Sequence, residues 1–153
     1  MRINNWFFPR KRIKHTTRGD FAYQKRKPIK MLGGGHTEEN LIYLRKHRLR
    51  YGIDTEFDNG VRLGNIQNHS KLMNTKKNGH AWFPREWSEH DVIAAASHVM
   101  KLKKNQHPKN HVMCTGRYRG VSVGVYCNNG HIDTVFPDFY INKGAKKKSY
   151  AKY

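Results

Sequence analysis

The hydrophobic positions of the chain fall into short runs separated by turn residues. Leu41 and Leu44, with Ile42, recur at helical spacing behind Thr37, and Glu38 and Glu39 stand in the first turn, where carboxylates suit the positive end of a helix dipole. This predicts a helix from Thr37 to about Arg48, ending before Gly52. Ile53, Thr55 and Phe57 then alternate with Asp54 and Glu56, Asp58-Asn59-Gly60 supplies turn chemistry, and Val61 and Leu63 resume the alternation. A β-hairpin is expected there. Ala81-Trp82-Phe83-Pro84 reads as a short strand stopped by proline. Ser88-Glu89-His90-Asp91 resembles a capping box, with Asp where Glu or Gln is usual, opening a helix that buries Val92, Ala96, Val99 and Met100 and closes on Lys101, Lys103 and Lys104. Last, Val121, Val123, Val125 and Cys127 share one face of a strand, Asn128-Asn129-Gly130 makes a tight turn, and Ile132, Thr134 and Phe136 share a face of the return strand.

Outside these runs the pattern fades. Residues 1–31 are expected to be a basic N-terminal arm, with a short helix around Asp20 to Lys25 limited by Pro28. Residues 32–138 form the folded domain, and 139–153 a solvated basic tail. Helices early and in the middle, with antiparallel strands between and after them, make the class α+β, N-terminal helices with an antiparallel sheet and hairpins. No internal repeat is evident.

Composition narrows the function. A chain of 153 residues with 37% apolar side chains supports one domain with a modest core. Its formal charge of +19, from 30 Lys and Arg against 11 acidic residues, points to a polyanionic partner, nucleic acid first. No apolar run approaches the roughly 20 residues needed to span a bilayer, so membrane insertion is not expected. Nor does the stretch from Met1 to Pro9 contain the apolar region of a signal peptide, so an export signal would lie outside this chain. Cys114 and Cys127 bracket one expected strand, whose extension holds them too far apart for a disulfide, and two cysteines do not make a thiolate zinc site.

Ten histidines remain as candidate chemistry. His47, His98, His107 and His111 lie where surface or helix-flank histidine is ordinary. His36 differs, because Gly33-Gly34-Gly35 in front of it lets the backbone approach a ligand closely and the following helix start offers N–H groups to a phosphate. From Asn68 to His80, His69 and His80 are mixed with Lys71, Lys76 and Lys77 in a loop suited to handling phosphate. Carboxylates do not cluster beside them, so neither a metal site nor a cofactor is expected. Metal-free RNA cleavage asks for less: one group takes the 2′-hydroxyl proton, one protonates the departing 5′-oxygen, and a cation steadies the phosphorus centre. Two histidines and a lysine suffice, and DNA lacks the internal nucleophile.

Four blocks carry a resemblance. GGGHTEENLIYL, DNGVRLGNIQNHS, KKNGHAWFPREWSEHDV and YRGVSVGVYCNNGHIDTVFPD, in that order from about Leu32 to Asp138, resemble the bacterial EndoU endoribonuclease domain, found as a C-terminal toxin of polymorphic and contact-dependent secretion systems. The resemblance implies metal-independent or weakly metal-responsive cleavage leaving a 2′,3′-cyclic phosphate, on the α+β fold shared with barnase-like, colicin-type and RelE-like toxins. It implies His36 as general base, on the family's glycine-histidine motif, with Gly35 beside the sugar-phosphate chain. The second family histidine normally precedes that motif by a helix and a turn, which leaves His15, at longer spacing, as general acid. His69 or His80, approaching from the strand side, is the alternative. Lys77 is implied as the transition-state cation, with Lys76 able to exchange roles, and Thr134 and Phe136 as contacts to base and ribose. Ala81 stands where relatives often carry a serine that helps recognise uracil, and Phe136 where the viral enzymes carry tyrosine, so uridine preference does not carry over. RNA in a competing cell, with transfer RNA foremost, is the implied substrate, and an acidic cognate immunity protein the implied partner. Two rival readings are a non-catalytic RNA-binding module and a histidine-metal DNA nuclease drawing on Asn68, His69 and His80.

Overall fold

The computed structural model describes residues 2–3, 6–72, 79–138 and 147–151. Two short strands, β1 (Arg2–Ile3) and β2 (Trp6–Phe7), lead into helix α1 (Arg10–Thr17), followed by the hairpin β3 (Asp20–Gln24) and β4 (Lys27–Gly33). Helix α2 (Glu38–Lys46) precedes β5 (Tyr51–Phe57), β6 (Arg62–Ile66) and β7 (His80–Trp82). Helix α3 (Glu89–Lys101) then precedes the meander β8 (Met113–Tyr118), β9 (Val121–Asn128) and β10 (His131–Pro137), and β11 (Lys147–Ala151) closes the chain. The strands form one sheet in the order β1-β2-β10-β9-β8, a second in the order β11-β5-β6-β7, and the separate β3-β4 pair. The α+β class is therefore correct.

Several expected elements stand where the alternation put them. Along β5, Tyr51, Ile53, Thr55 and Phe57 are buried and the residues between them are not. Ser88 and Asp91 complete a reciprocal capping box on α3, whose inward face carries Val92, Ala96, Val99 and Met100. Asn129 and Gly130 both take positive φ, as a two-residue hairpin turn requires.

The basic arm is different. Residues 10–33 are a helix and a hairpin, and Asp20 to Gln24 is a strand rather than a helix. The hairpin turn is made by Lys25 and Arg26 at positive φ, without the Asn-Gly pair that normally signals one. In α1 the buried side chains are Ile13, Thr16 and Thr17, so its inward face has one apolar residue and leaves no hydrophobic period to read. At the other end, Lys147–Ala151 pairs with β5 as an edge strand in place of the expected solvated tail. Cys114 and Cys127 lie on adjacent strands, β8 and β9, as buried free thiols, and do not bracket a single strand.

A register shift in β10 overturns one face assignment. Between Ile132 and Thr134 the pairing with β9 slips, so Ile132 and Val135 enter the core while Thr134 and Phe136 turn to the opposite, half-exposed face. A bulge inserts one residue and thereby re-aims those after it. That residue, Asp133, gives its carbonyl to Arg12 Nε of α1 at 2.8 Å.

Two cores result. One lies between α3 and the five-stranded sheet, and the other holds Leu41 and Leu44 of α2 against Ile53, Ile66 and Met31. Strand β7 divides them: Trp82 belongs to the second core and its neighbours Ala81 and Phe83 to the first. Arg62, 1% exposed, ties the cores together by donating to Glu38 Oε1 in the first turn of α2 and to the Phe83 carbonyl, each at 2.6 Å. Among the described residues no helix is long and apolar enough to cross a membrane.

Candidate active site

The site begins at the C-terminus of α1. The last carbonyls of any helix lack intrahelical donors and must find others. Here the glycine loop supplies them: the N–H of Gly35 donates to His15 O at 2.8 Å and that of His36 to Thr16 O at 2.6 Å. Thr37 Oγ1 donates to Thr17 O at 3.0 Å, and Asn40 Nδ2 to Arg18 O at 2.7 Å. The loop lies so close that a Cβ on Gly34 would stand 2.0 Å from the His15 carbonyl oxygen, and one on Gly35 2.4 Å from Asn40 Nδ2, both at positive φ. The glycines thus admit α1. The N–H groups of Gly35 and His36 are thereby spent on α1 and are not left for a phosphate. Thr37 precedes α2 as expected, yet its hydroxyl serves α1 and makes no capping bond to its own helix.

This junction places His15 and His36 on two segments bonded to each other. His36 Nδ1 lies 2.8 Å from the carbonyl of Ala81. A carbonyl only accepts, so Nδ1 carries the hydrogen and Nε2 keeps the lone pair. Half-buried, the ring stacks on His80 at 4.7 Å and 2°, with Phe136 at 6.0 Å on its other contact. Burial lowers its pKa from the usual imidazole value to about 4, with a further lowering from His15 and an opposing pull from the Ala81 carbonyl. The ring is therefore neutral at neutral pH. His80, buried, donates Nε2–H to the Gly35 carbonyl at 2.6 Å, and burial followed by the neighbouring His36 holds its pKa well below the usual value.

His15 is held by a carboxylate, with Nδ1 2.6 Å from Asp20 Oδ2. That carboxylate commits Nδ1 as donor and leaves Nε2 to act on another partner. Among the described residues neither the His15 nor the His36 Nε2 has a hydrogen-bond partner.

The rest of the cleft comes from β10 and β9. Thr16 Oγ1 accepts from the Val135 N–H at 3.2 Å and reaches Thr134 Oγ1 at 3.5 Å, which fastens the α1 end to the half-exposed face of β10. Phe136 pairs in register with Gly124, where a Cβ would lie 2.6 Å from its ring, and stacks on Tyr126 at 5.3 Å. Tyr126 is directly opposite Thr134 across the strand pair. His15 and His36 on the junction, Thr134 bonded to Thr16, and Phe136 against His36 are thereby brought into one neighbourhood from distant parts of the chain.

Other candidates fall elsewhere. Lys76 and Lys77 lie outside the described residues. His69 is bridged to Met31 of β4, and its Nδ1 accepts the Lys71 N–H at 2.9 Å. Burial and then Lys71 lower its pKa, and it in turn contributes to the lowering at His80. Ala81 turns its methyl into the first core, so a hydroxyl at that position would not face the cleft. Asp20, Tyr126, Thr16 and Gly124 join the site without having been singled out by sequence. The four-residue gap from His15 to Asp20 was the available signal for the first; none marks Tyr126, which a two-residue turn alone would set opposite Asp133 and which only the bulge brings opposite Thr134. Among the described residues no group of three or more His, Cys, Asp or Glu converges so as to hold a metal ion.

The family model described as bacterial EndoU nuclease matches residues 9–139, a span that takes in α1 and both histidines of the cleft. Neither the comparison with curated proteins nor that with solved structures returned a match.

Proposed function

The chain belongs to the bacterial EndoU nuclease family, and from that premise we propose that it is a metal-independent endoribonuclease acting by acid and base catalysis. His36 Nε2 takes the proton from a ribose 2′-hydroxyl, the 2′-oxygen attacks the adjoining phosphorus, and His15 Nε2 gives a proton to the departing 5′-oxygen. The products are a 2′,3′-cyclic phosphate and a 5′-hydroxyl. Lys77, or Lys76, supplies the cation beside the phosphoryl oxygens, Thr134 bonds the nucleotide, and Phe136 with Tyr126 offers a stacking face to a base. One observation carries this reading. Both histidines have Nδ1 committed, to the Ala81 carbonyl and to Asp20 respectively, and among the described residues neither Nε2 has a partner.

The charge of +19 favours a long polyanion as substrate and an acidic cognate protein as inhibitor. We take the enzyme to be a toxin delivered into a competing cell, with transfer RNA as the leading target and an immunity protein covering the cleft in the producer.

The test is cleavage of a synthetic RNA and its DNA counterpart in excess chelator, with product ends read by mass spectrometry. Cyclic-phosphate ends from RNA alone support the proposal, and His36→Ala should then lower kcat by about 100-fold or more. Binding without scission, scission only on adding metal, or full activity in His36→Ala would each overturn it.

A further inference from the structure

A concave surface lies apart from the histidine site. A cavity of about 820 Å³ opens where the end of α2 meets the start of β5 and the end of β6. None of His15, His36, Thr134 or Phe136 lines it. We infer that this cavity is a nucleotide subsite, holding a base and its flanking phosphates of the same RNA chain at a position away from the scissile bond. The inference rests on the ribonuclease reading above.

The lining has the two parts such a ligand needs. Its floor includes Leu49, Tyr51 and Ile66, all buried in the second core, and Arg45 Nη1 donates to the Tyr51 hydroxyl at 2.7 Å, which holds that ring in place. Its rim carries the exposed side chains of Arg48, Arg50 and Lys71, and none of the described salt bridges reaches these three. Three such cations around an apolar floor suit a flat base with phosphates on either side. The carbonyls at the end of α2 do not oppose an anion there. Leu44, Tyr43 and Arg45 already give theirs to the N–H groups of Leu49, His47 and Arg48.

The cavity is also joined to the cleft. His69 lines it and is bridged to Met31, whose methyl end lies against Gly35, the residue before His36. The proposed site and the cavity are thus linked through the buried Met31 side chain.

Two variants test this without touching the cleft. Arg48→Gln/Arg50→Gln removes rim charge from exposed positions. Gly52→Phe fills the cavity, since a Cβ on Gly52 meets nothing within 4 Å. Affinity is measured for a 2′-O-methyl RNA decamer, which cannot undergo the transfer, and for the dinucleotide, so the readout stands whether or not the chain cleaves RNA. The rim variant should weaken the decamer roughly tenfold and flatten its salt dependence by about 1.4 in slope, about 0.7 for each phosphate that is no longer neutralised. Gly52→Phe should weaken the decamer similarly at unchanged slope. Dinucleotide affinity should hold in both. An unaltered decamer, or equal weakening of decamer and dinucleotide, overturns the subsite. So does a free mononucleotide that perturbs Leu49 and Ile66 resonances without competing with the decamer.

Discussion

Lowering the pH from 7 to 4.5 should expose the enclosure of His36 as a loss of stability. In the folded chain the imidazole holds a pKa of about 4, chiefly through burial, whereas in the unfolded chain it returns to the ordinary 6.5. The neutral form is the one that the fold favours, so its contribution is fully present above pH 6.5. As the pH falls from 6.5 toward 4, the unfolded chain takes up a proton that the folded chain refuses, and stability declines. Each pKa unit is worth about 1.4 kcal/mol, which bounds the full loss near 3 kcal/mol. Because the ring is only half-buried, solvent screening brings the expected loss to roughly 2 kcal/mol. The assay is urea denaturation of the wild type and His36→Gln at several pH values. Subtracting the two curves removes the carboxylates and the other histidines. The difference should shrink steadily between pH 6.5 and 4.5, and in an NMR titration the His36 ring should stay neutral, protonated on Nδ1, down to about pH 4. A difference that stays level with pH, or a His36 midpoint near 6.5, would refute the claim that the junction keeps this base neutral.

Three further outcomes follow from the same junction. Asn40→Ala leaves the Trp82 indole N–H and the Arg18 carbonyl without the partners that they have at 2.9 and 2.7 Å, and should cost about 2–4 kcal/mol in urea unfolding; a loss under about 0.5 kcal/mol would show that neither bond matters. Gly34→Ala should drive the loop from α1 and abolish cleavage while α3 and the five-stranded sheet keep their hydrogen-exchange protection; wild-type activity would contradict the close approach. Asp20→Asn should lower kcat roughly 10- to 100-fold with KM within about twofold, because the His15 ring loses its orienting carboxylate, and a rise in KM alone would deny Asp20 that role.

What the chain discloses before folding depends on how each element makes its burial visible. Strands β5 and β9 are legible because each buries side chains at alternate positions, and the β5-β6 and β9-β10 hairpins because each turns on Asn-Gly. Helix α1 buries two threonines, which pattern reading counts as polar, and β3-β4 turns on two cations. Their charge made a folded segment look like an arm, and with it the segment that presents His15. The bulge at Asp133 is invisible in one dimension, since Ile132, Thr134 and Phe136 alternate without a break in sequence. His36 could be nominated from the glycines before it, and Thr134 and Phe136 because a resemblance named them. Tyr126 could not, because its importance lies in what the bulge sets opposite it after folding.

The arrangement also explains how a loop holds His36 beside His15 at the end of a helix. A helix end that is buried has carbonyls that must be bonded, and the nearest donors are the amides of a chain able to lie flat against it. Glycine makes that possible, and the residues next in line, His15 on the helix and His36 on the loop, then sit at a spacing set by backbone hydrogen bonds of 2.8 and 2.6 Å. Thr16, which owns the second of those carbonyls, extends the same set of bonds to Thr134, and it accepts there from Val135 as well. The proposed base, acid and nucleotide contact therefore hang from one helix terminus. Disturbing any bond of the set moves all three, so substitutions at Gly34, Asn40 and Thr16 should overlap in their effects on turnover and fall short of additivity, as linked groups do.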